Sequence, residues 1–467
     1  MSKIYITTAI PYVNGDTHLG HALELVQADV LARHRRLRGD AVRFQSGTDD
    51  NALKNVEAAL AAGLPVAEFV AAKGDRFAEL AGQLQVSNDD FIRTSTDPRH
   101  RPGVERLWRA CAETGDLYER DYEGLYCAGC EAFVEGPRCS EHDRALDRIS
   151  ERNWFFRLSR YEDALRELIA SGQLRIEPRS RRNEVLAFIE SGLADFSVSR
   201  ARERAHGWGI PVPDDPSQVV YVWFDALANY VTSLGHGASY DEWWRDSDER
   251  LHVIGKGIIR FHAVYWPAIL LSAGEPLPTT IFVHDYVTSG DRKLSKSLGA
   301  GDAFGTIERF GAEGLRWWLV RDVPRSGDVE FREQRVVARA NELADGLGNL
   351  VGRTLALSDG IPGAGRTELA AELYALPEEI DAALAVFDFR AATEALWKRV
   401  DAANRFVSAT RPWELTGPER AGVVQALLDA ISVLARELTP FLPGAAVRIA
   451  QALEEGEGRR LFPKLAA

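Results

Sequence analysis

The first fifty residues restrict the fold most, because they pass from one hydrophobic period to another and back. Residues 3–9, KIYITTA, are rich in β-branched side chains and alternate, the pattern of a strand. A loop, PYVNGDT, follows. HLGHALELVQADVLARHRRL then places Leu19, Leu23, Val26 and Val30 at helical spacing. Asp16 and Thr17 are candidate caps and Gly39 a stop signal. AVRFQSGTD reads as the next strand. Two strands joined through a helix are expected to lie parallel, with a right-handed crossover.

The same grammar returns later. VVYVWFD (219–225) reads as a strand leading into a helix near 226–234, and LHVIG (251–255) leads into IIRFHAVYWPAILLSA (258–273). TIFVHDYV (280–287) reads as another strand, followed by KLSKS (293–297) and the helical EGLRWWLVRD. Strand ends at 10, 49, 223, 255 and 287 would all deliver loops to one edge of a parallel sheet, where ligands bind. From about residue 336 strand signals vanish and amphipathic helices remain, with a Gly/Pro-rich connector at 358–365. The prediction is an α/β protein. A doubly wound parallel Rossmann-type catalytic domain occupies 1–115 and 175–335, split by an insertion at 116–174, and a C-terminal α-helical bundle occupies 336–467.

A chain of 467 residues is too long for one core, in line with this division. Net charge of −13 argues against a sequence-blind nucleic-acid binder. Local basic runs at 33–38, 175–182 and 332–339 still leave room for a tRNA partner, although each is equally well a solvated face. No run of 18 apolar residues occurs, so no membrane span is expected, and MSKIYITTAI lacks the features of a signal peptide. A cytoplasmic location is expected.

Cys127, Cys130 and Cys139 cluster, and His142 follows, in a C-x2-C-x8-C-x2-H pattern. In a large cytoplasmic chain that is a metal pattern before a disulfide pattern, and four N/S donors suit a closed structural Zn2+ site. Cys111 reads as a buried thiol. Met1 is the only methionine.

His18 and His21, in HLGH, are three apart at a helix start and share a face. Helix N-termini favour phosphate, and Gly20 would let a ligand approach the backbone. The alternative is a pair of satisfied surface histidines. Lys293 and Lys296 are compact charges suited to phosphate, on a loop flanked by Gly290 and Gly299. No G-x-x-x-x-G-K-[ST] occurs, which disfavours a P-loop enzyme.

HLGH together with KLSKS resembles the paired signatures of class I aminoacyl-tRNA synthetases. AIPYVNGDTHLGH, YVWFDALANYV, RNEVLAFIESGLADFSVSR, GWGIPVP, IGKGIIRFHAVYWPAIL and LGNLVGR together resemble the methionyl-tRNA synthetase family, along the chain to about residue 445. The resemblance implies ATP-dependent activation of L-methionine as the adenylate and its transfer to tRNA(Met). It implies catalytic roles on phosphate for His18, His21, Lys293 and Lys296, with Gly20, Glu24 and Gly255 around the nucleotide. Asp49 would bind the ammonium group. Ile10, Tyr12, Trp223, Leu227, Tyr230, Ile258 and His262 would form the methionine pocket. Asn349, Arg353 and Trp413 would read the anticodon, in a helical domain at 336–467. The cysteine cluster resembles the zinc knuckle of the family's insertion, Mg2+ is expected with ATP, and a monomer is expected.

Three positions depart from the family's usual residues. GTDDNA supplies Asp50, Asn51 and Ala52 after the strand-end Asp49; Gly257 follows IGK; and Leu294 stands in the loop motif. Arg200 is retained. A related adenylate-forming enzyme of altered specificity, or a non-catalytic tRNA-binding module, are the alternatives.

Overall fold

The computed structural model describes residues 1–127, 132–134, 146–289, 292–293, 301–358, 367–456 and 461–465. The chain divides into two compact units. Met1–Asp16, Asp40–Glu79 and Asn88–His284 form the first; Thr17–Gly39, Leu80–Ser87 and Asp285–Ala467 form the second.

The first unit is built on six parallel strands: β1 (Lys3–Thr8), β2 (Ala41–Thr48), β3 (Asp90–Arg93), β4 (Arg175–Glu177), β5 (Glu249–Gly255) and β6 (Thr280–His284). Their order across the sheet is β3-β2-β1-β5-β6-β4, and every neighbouring pair is parallel. The order changes direction between β1 and β5, which pair from Ile4–Glu249 to Thr8–Val253. Their carboxyl ends therefore open side by side, the usual place for a ligand in such a sheet. The inner residues of β1 and all of β6 are buried, as expected for strands covered on both faces.

Leu117–Cys127 and Asp147–Phe156 pair antiparallel along their length, and Ala132–Val134 and Phe196–Ser197 extend that sheet. A smaller antiparallel sheet joins Ser199–Ala201, Pro211–Val212 and Asp215–Val220. Two expectations are corrected here. The run 219–225 is not a strand of the parallel sheet: Asp215–Val220 is antiparallel and a helix starts at Val222. An apolar run of that length fits either period. The run 280–287 divides into β6 and a separate short strand, Val287–Ser289. One core of aromatic and aliphatic side chains, including Tyr5, Trp108, Phe156, Phe224, Trp244 and Trp266, fills the first unit. Each large side chain so buried contributes roughly 1.5–3 kcal/mol.

The second unit holds α1 (Leu19–Leu37) and the C-terminal helices from Glu333 onward, among them Asn349–Leu357, Phe389–Thr410 and Gly417–Leu438. Arg316 is fully buried at its centre. Its guanidinium reaches the Asp29 carboxylate of α1 at 2.7 Å and donates to the carbonyls of Leu84 (2.7 Å) and Phe441 (2.9 Å). A buried ion pair of this kind fixes geometry, and removing one partner costs about 3–5 kcal/mol. Among the described residues, no single helix is long and apolar enough to cross a membrane.

Candidate active site

In the first unit, the loops after β1 and β2 are clipped together. The Asp49 amide donates to the Pro11 carbonyl at 3.0 Å, and Tyr12 and Asp49 form an isolated parallel bridge. The clip sets the buried Asp49 carboxylate beside Tyr12. Asn51 donates its amide N–H to Asp49 Oδ1 at 3.2 Å.

Trp223 sits in the first turn of the helix Val222–Leu227. Its ring stacks on Phe261 with centroids 3.7 Å apart and an interplanar angle of 2°. Tyr12 and His262 meet it edge-on at 6.2 and 6.3 Å. Leu227 and Tyr230 are buried along the same stretch of chain. Ile10, after β1, and Ile258, after β5, are half-buried. The structure thus assembles Tyr12, Asp49, Trp223, Tyr230, Ile258 and His262 through direct contacts. Aromatic walls of this kind suit a polarizable apolar side chain.

His262 is held in one tautomer. Its Nδ1 lies 2.9 Å from the Ile258 carbonyl oxygen, which only accepts, so Nδ1 carries the proton. Nε2 then accepts from the Tyr230 hydroxyl at 2.6 Å. Burial pushes the imidazole down to about 4, so it is neutral at physiological pH. Burial also pushes His252 well below the ordinary range; its Nδ1 is 2.7 Å from Thr7 Oγ1, and the Tyr230 ring lies 4.1 Å from it. Gly255 ends β5 next to the His284 imidazole.

In the second unit, the histidines of HLGH cap α1 reciprocally. The Gly20 N–H donates to His18 Nδ1 and the His18 N–H to His21 Nδ1, both at 3.1 Å. The two rings stack at 3.6 Å. Because each Nδ1 accepts, each Nε2 carries the proton and is a donor. Gly20 has a nearer cause than ligand approach: a Cβ there would lie 3.0 Å from the His18 ring. Glu24 follows one turn later on α1.

The chain that follows KLSKS returns to this cap. The Leu19 N–H donates to the Gly301 carbonyl at 3.0 Å, and His18 bridges Asp302, which itself caps the helix Ala303–Phe310. Lys293 is paired through its backbone with Thr288. Lys296 and Leu294 lie outside the described residues.

Asn349 and Arg353 share a face of the helix Asn349–Leu357. The Arg353 guanidinium stands 5.6 Å from the centre of the Trp413 ring, which is 48% exposed. A half-exposed indole beside a cation is a surface on which a base stacks. Arg411 takes φ 49° to turn the chain into the Pro412–Glu414 segment that carries this ring.

Cys127 is buried at the end of its strand, which pairs back with Ala132. Cys130, Cys139 and His142 lie outside the described residues. Among the described residues no cluster of metal-ligating side chains occurs. Cys111 is buried as expected, and burial pushes its thiol up to about 12. Of the departures, Gly257 lies exposed in the turn Lys256–Ile258. Arg200 donates to Ser197 Oγ at 2.8 Å and the Ser199 carbonyl at 2.7 Å, over the Tyr221 ring.

Sequence reading missed Phe261, His252 and the buried pair His100 and Asp225, and noticed Asn51 only as a departure. Phe261 had a signal, an aromatic beside His262. The others are separated in sequence from their partners and carry none.

A model of the family described as tRNA synthetases class I (M) matches residues 4–141 and 134–355. The chain is 38% identical to a methionine–tRNA ligase of Brucella suis, covering 100% of this chain and 94% of that one. It is 37% identical to one of Thermotoga maritima, covering 94% and 73%. Among solved structures, a Mycobacterium tuberculosis methionyl-tRNA synthetase in complex with methionyl-adenylate superposes with a TM-score of 0.90, at 36% identity, covering 96% of this chain and 93% of that one. The apo form of a synthetase from that organism gives 0.84 at 32% identity, over 100% and 95%.

Proposed function

The chain belongs to the methionyl family of class I tRNA synthetases, and from that premise we propose a role for each part of the site. The enzyme joins the carboxylate of methionine to the α-phosphate of ATP, expelling pyrophosphate, and passes the methionyl group to tRNA(Met). No covalent enzyme intermediate is required, so catalysis rests on positioning and on stabilising phosphate charge.

The observation that carries this reading is the slot around Trp223. A stacked Trp223–Phe261 wall, a neutral His262–Tyr230 pair and the Asp49 carboxylate meet the thioether and ammonium ends of one small molecule. The Tyr230 hydroxyl donates its proton to His262, so it faces a ligand as an acceptor. Ile10, Leu227 and Ile258 complete the apolar lining. His18 and His21 donate from Nε2 to phosphate oxygens, and Lys293 and Lys296 carry the positive charge that meets them. Gly20, Glu24 and Gly255 lie around the nucleotide, which Mg2+ accompanies. Asn349, Arg353 and Trp413 read the anticodon. A monomer working in the cytoplasm fits these roles.

Cys127, Cys130, Cys139 and His142 are proposed to hold a structural Zn2+. The donor set suits that ion, and the buried Cys127 at a strand end that folds back supports it. The metal would fix the insertion and takes no part in the chemistry. Purified protein should contain about one zinc per chain by mass spectrometry, and Cys127→Ser should lose it. A metal-free wild type would remove the site.

Amino-acid-dependent ATP–pyrophosphate exchange across the twenty standard amino acids, followed by tRNA charging, tests the reaction. Exchange with methionine and charging of tRNA(Met) are expected. Exchange with a different amino acid alone would overturn the assignment.

A further inference from the structure

The segment Asp49-Asp50-Asn51 places three polar side chains in a row, and each is held differently. Asp50 is enclosed: Thr48 Oγ1 donates to it at 2.9 Å and Ser95 Oγ at 2.7 Å, and Arg93 Nε lies 3.5 Å away. It is committed to the fold. Asn51 is the residue that reaches across. Its amide N–H donates to Asp49 Oδ1 at 3.2 Å, and its side-chain Nδ2 donates to Asp225 Oδ2 at 2.8 Å.

Asp225 belongs to the helix Val222–Leu227, which also carries Trp223. Its other oxygen, Oδ1, lies 2.5 Å from His100 Nε2, and His100 Nδ1 lies 2.7 Å from Thr232 Oγ1. Thr232 is two residues beyond Tyr230. His100, Asp225 and Thr232 are all at most 1% exposed. One chain of hydrogen bonds therefore runs from the Asp49 carboxylate, through Asn51, to the chain segments that carry both aromatic walls of the slot.

We propose that Asn51 is a positioning residue for amino-acid binding, which fixes the Asp49 carboxylate relative to Trp223 and Tyr230 by bridging Asp49 to Asp225. The proposal rests on the reading that Asp49 binds the ammonium group. An amide suits this place because it donates to Asp225 while adding no charge of its own. A carboxylate at the same position would face Asp225 directly, with Asp49 and Asp50 preceding it in the chain, His100 behind Asp225, and Arg93 of the neighbouring strand beside Asp50. Arg200 and Arg204 line the small cleft that Asn51 borders. Two carboxylates in such contact cannot both ionise freely.

Two isosteric variants separate this role from mere packing. Asn51→Leu removes the bridge and should raise the KM for methionine in pyrophosphate exchange about tenfold, with kcat within about threefold of wild type. Asn51→Asp should make binding depend on pH. Carboxylates in contact hold a shared proton at low pH and repel once it is lost, so the variant-to-wild-type KM ratio should rise about tenfold between about pH 5.5 and pH 8. His100, Arg200 and Arg204 are the same in both proteins. Thermal melting monitors folding; where Asn51→Leu does not fold, Asn51→Asp decides alone. A KM ratio flat with pH overturns the proposal, as does a loss of kcat with KM unchanged. A wild type without methionine-dependent exchange sinks the underlying assignment instead. Methionine titration of tryptophan fluorescence then still reads the bridge, with the same pH-dependent ratio of dissociation constants expected.

Discussion

The histidines of the slot and those of HLGH hold opposite tautomers. At His262 a carbonyl oxygen claims the Nδ1 proton, leaving Nε2 to accept. At His18 and His21 a backbone N–H is donated to Nδ1, leaving Nε2 to donate. His262 is buried and driven neutral, whereas His18 and His21 are half-buried at a helix start. One residue type thus serves two tasks. A neutral imidazole anchors an aromatic wall, and two Nε2 donors are presented at a helix start. The difference lies in local backbone, not in composition.

The largest effect should come from breaking the donor side. His21→Ala, or His18→Asn, which keeps an acceptor for the Gly20 N–H but loses the Nε2 donor, should lower kcat for exchange by about 100-fold or more. The KM for methionine should stay within about threefold. Equal changes in both would remove the division between the two regions. Lys296→Ala should behave like the histidine variants, slowing adenylate formation far more than it weakens methionine binding.

On the acceptor side, Tyr230→Phe strands the buried His262 Nε2, a loss of about 1–3 kcal/mol. The KM for methionine should rise about tenfold while kcat changes little. An unchanged KM would mean the hydroxyl does not face the ligand.

The third test uses protons. The folded pKa of His262, about 4, lies below its unfolded value of 6.5. The unfolded chain then binds more protons between these values, so stability rises with pH across that window. The contribution of His262 is fully present above about pH 6.5 and is lost as pH falls towards 4; burial of His252 acts in the same direction. Its size is about 3 kcal/mol. Urea midpoints between pH 7 and pH 4.5 should fall more steeply for wild type than for His262→Gln. Parallel slopes would show that the ring is not buried neutral.

The smallest effect belongs to Gly20→Ala. Helix propensity gains up to about 1 kcal/mol, offset by a cap loss of about 1 kcal/mol as the His18 ring is displaced. The melting temperature should barely move while exchange slows severalfold. A variant more stable and equally active would mean that the His18 ring adapts.

The first strand–helix–strand unit was legible because its two periods are long and clean, and α1 ends next to Gly39 as indicated, although its N-cap is His18 rather than Asp16 or Thr17 because the His18 ring accepts the Gly20 N–H. Strands β3 and β4, of four and three residues, were not legible, since so few positions carry no period. The run 219–225 was ambiguous because Tyr221 turns the chain from strand to helix inside one apolar segment. In the candidate site, Asp49, Trp223 and His262 stood out from the family motifs, and the structure brings Trp223 and His262 together, with Tyr12 between Trp223 and Asp49. Asn51 was noticed only as a departure, and His100 not at all. Its partner Asp225 is 125 residues away, and burial of a lone histidine leaves no pattern in a sequence.

The hydrogen bond from Leu19 to Gly301 has a consequence for synthesis. His18 is made almost at once, but Gly301, whose carbonyl ties the start of α1 to the later chain, is translated only after the whole of the first unit, which ends at His284. A ribosome-bound fragment that stops before Gly301 lacks this closure. Nascent chains therefore carry an untied start to this helix until Gly301 has left the ribosome.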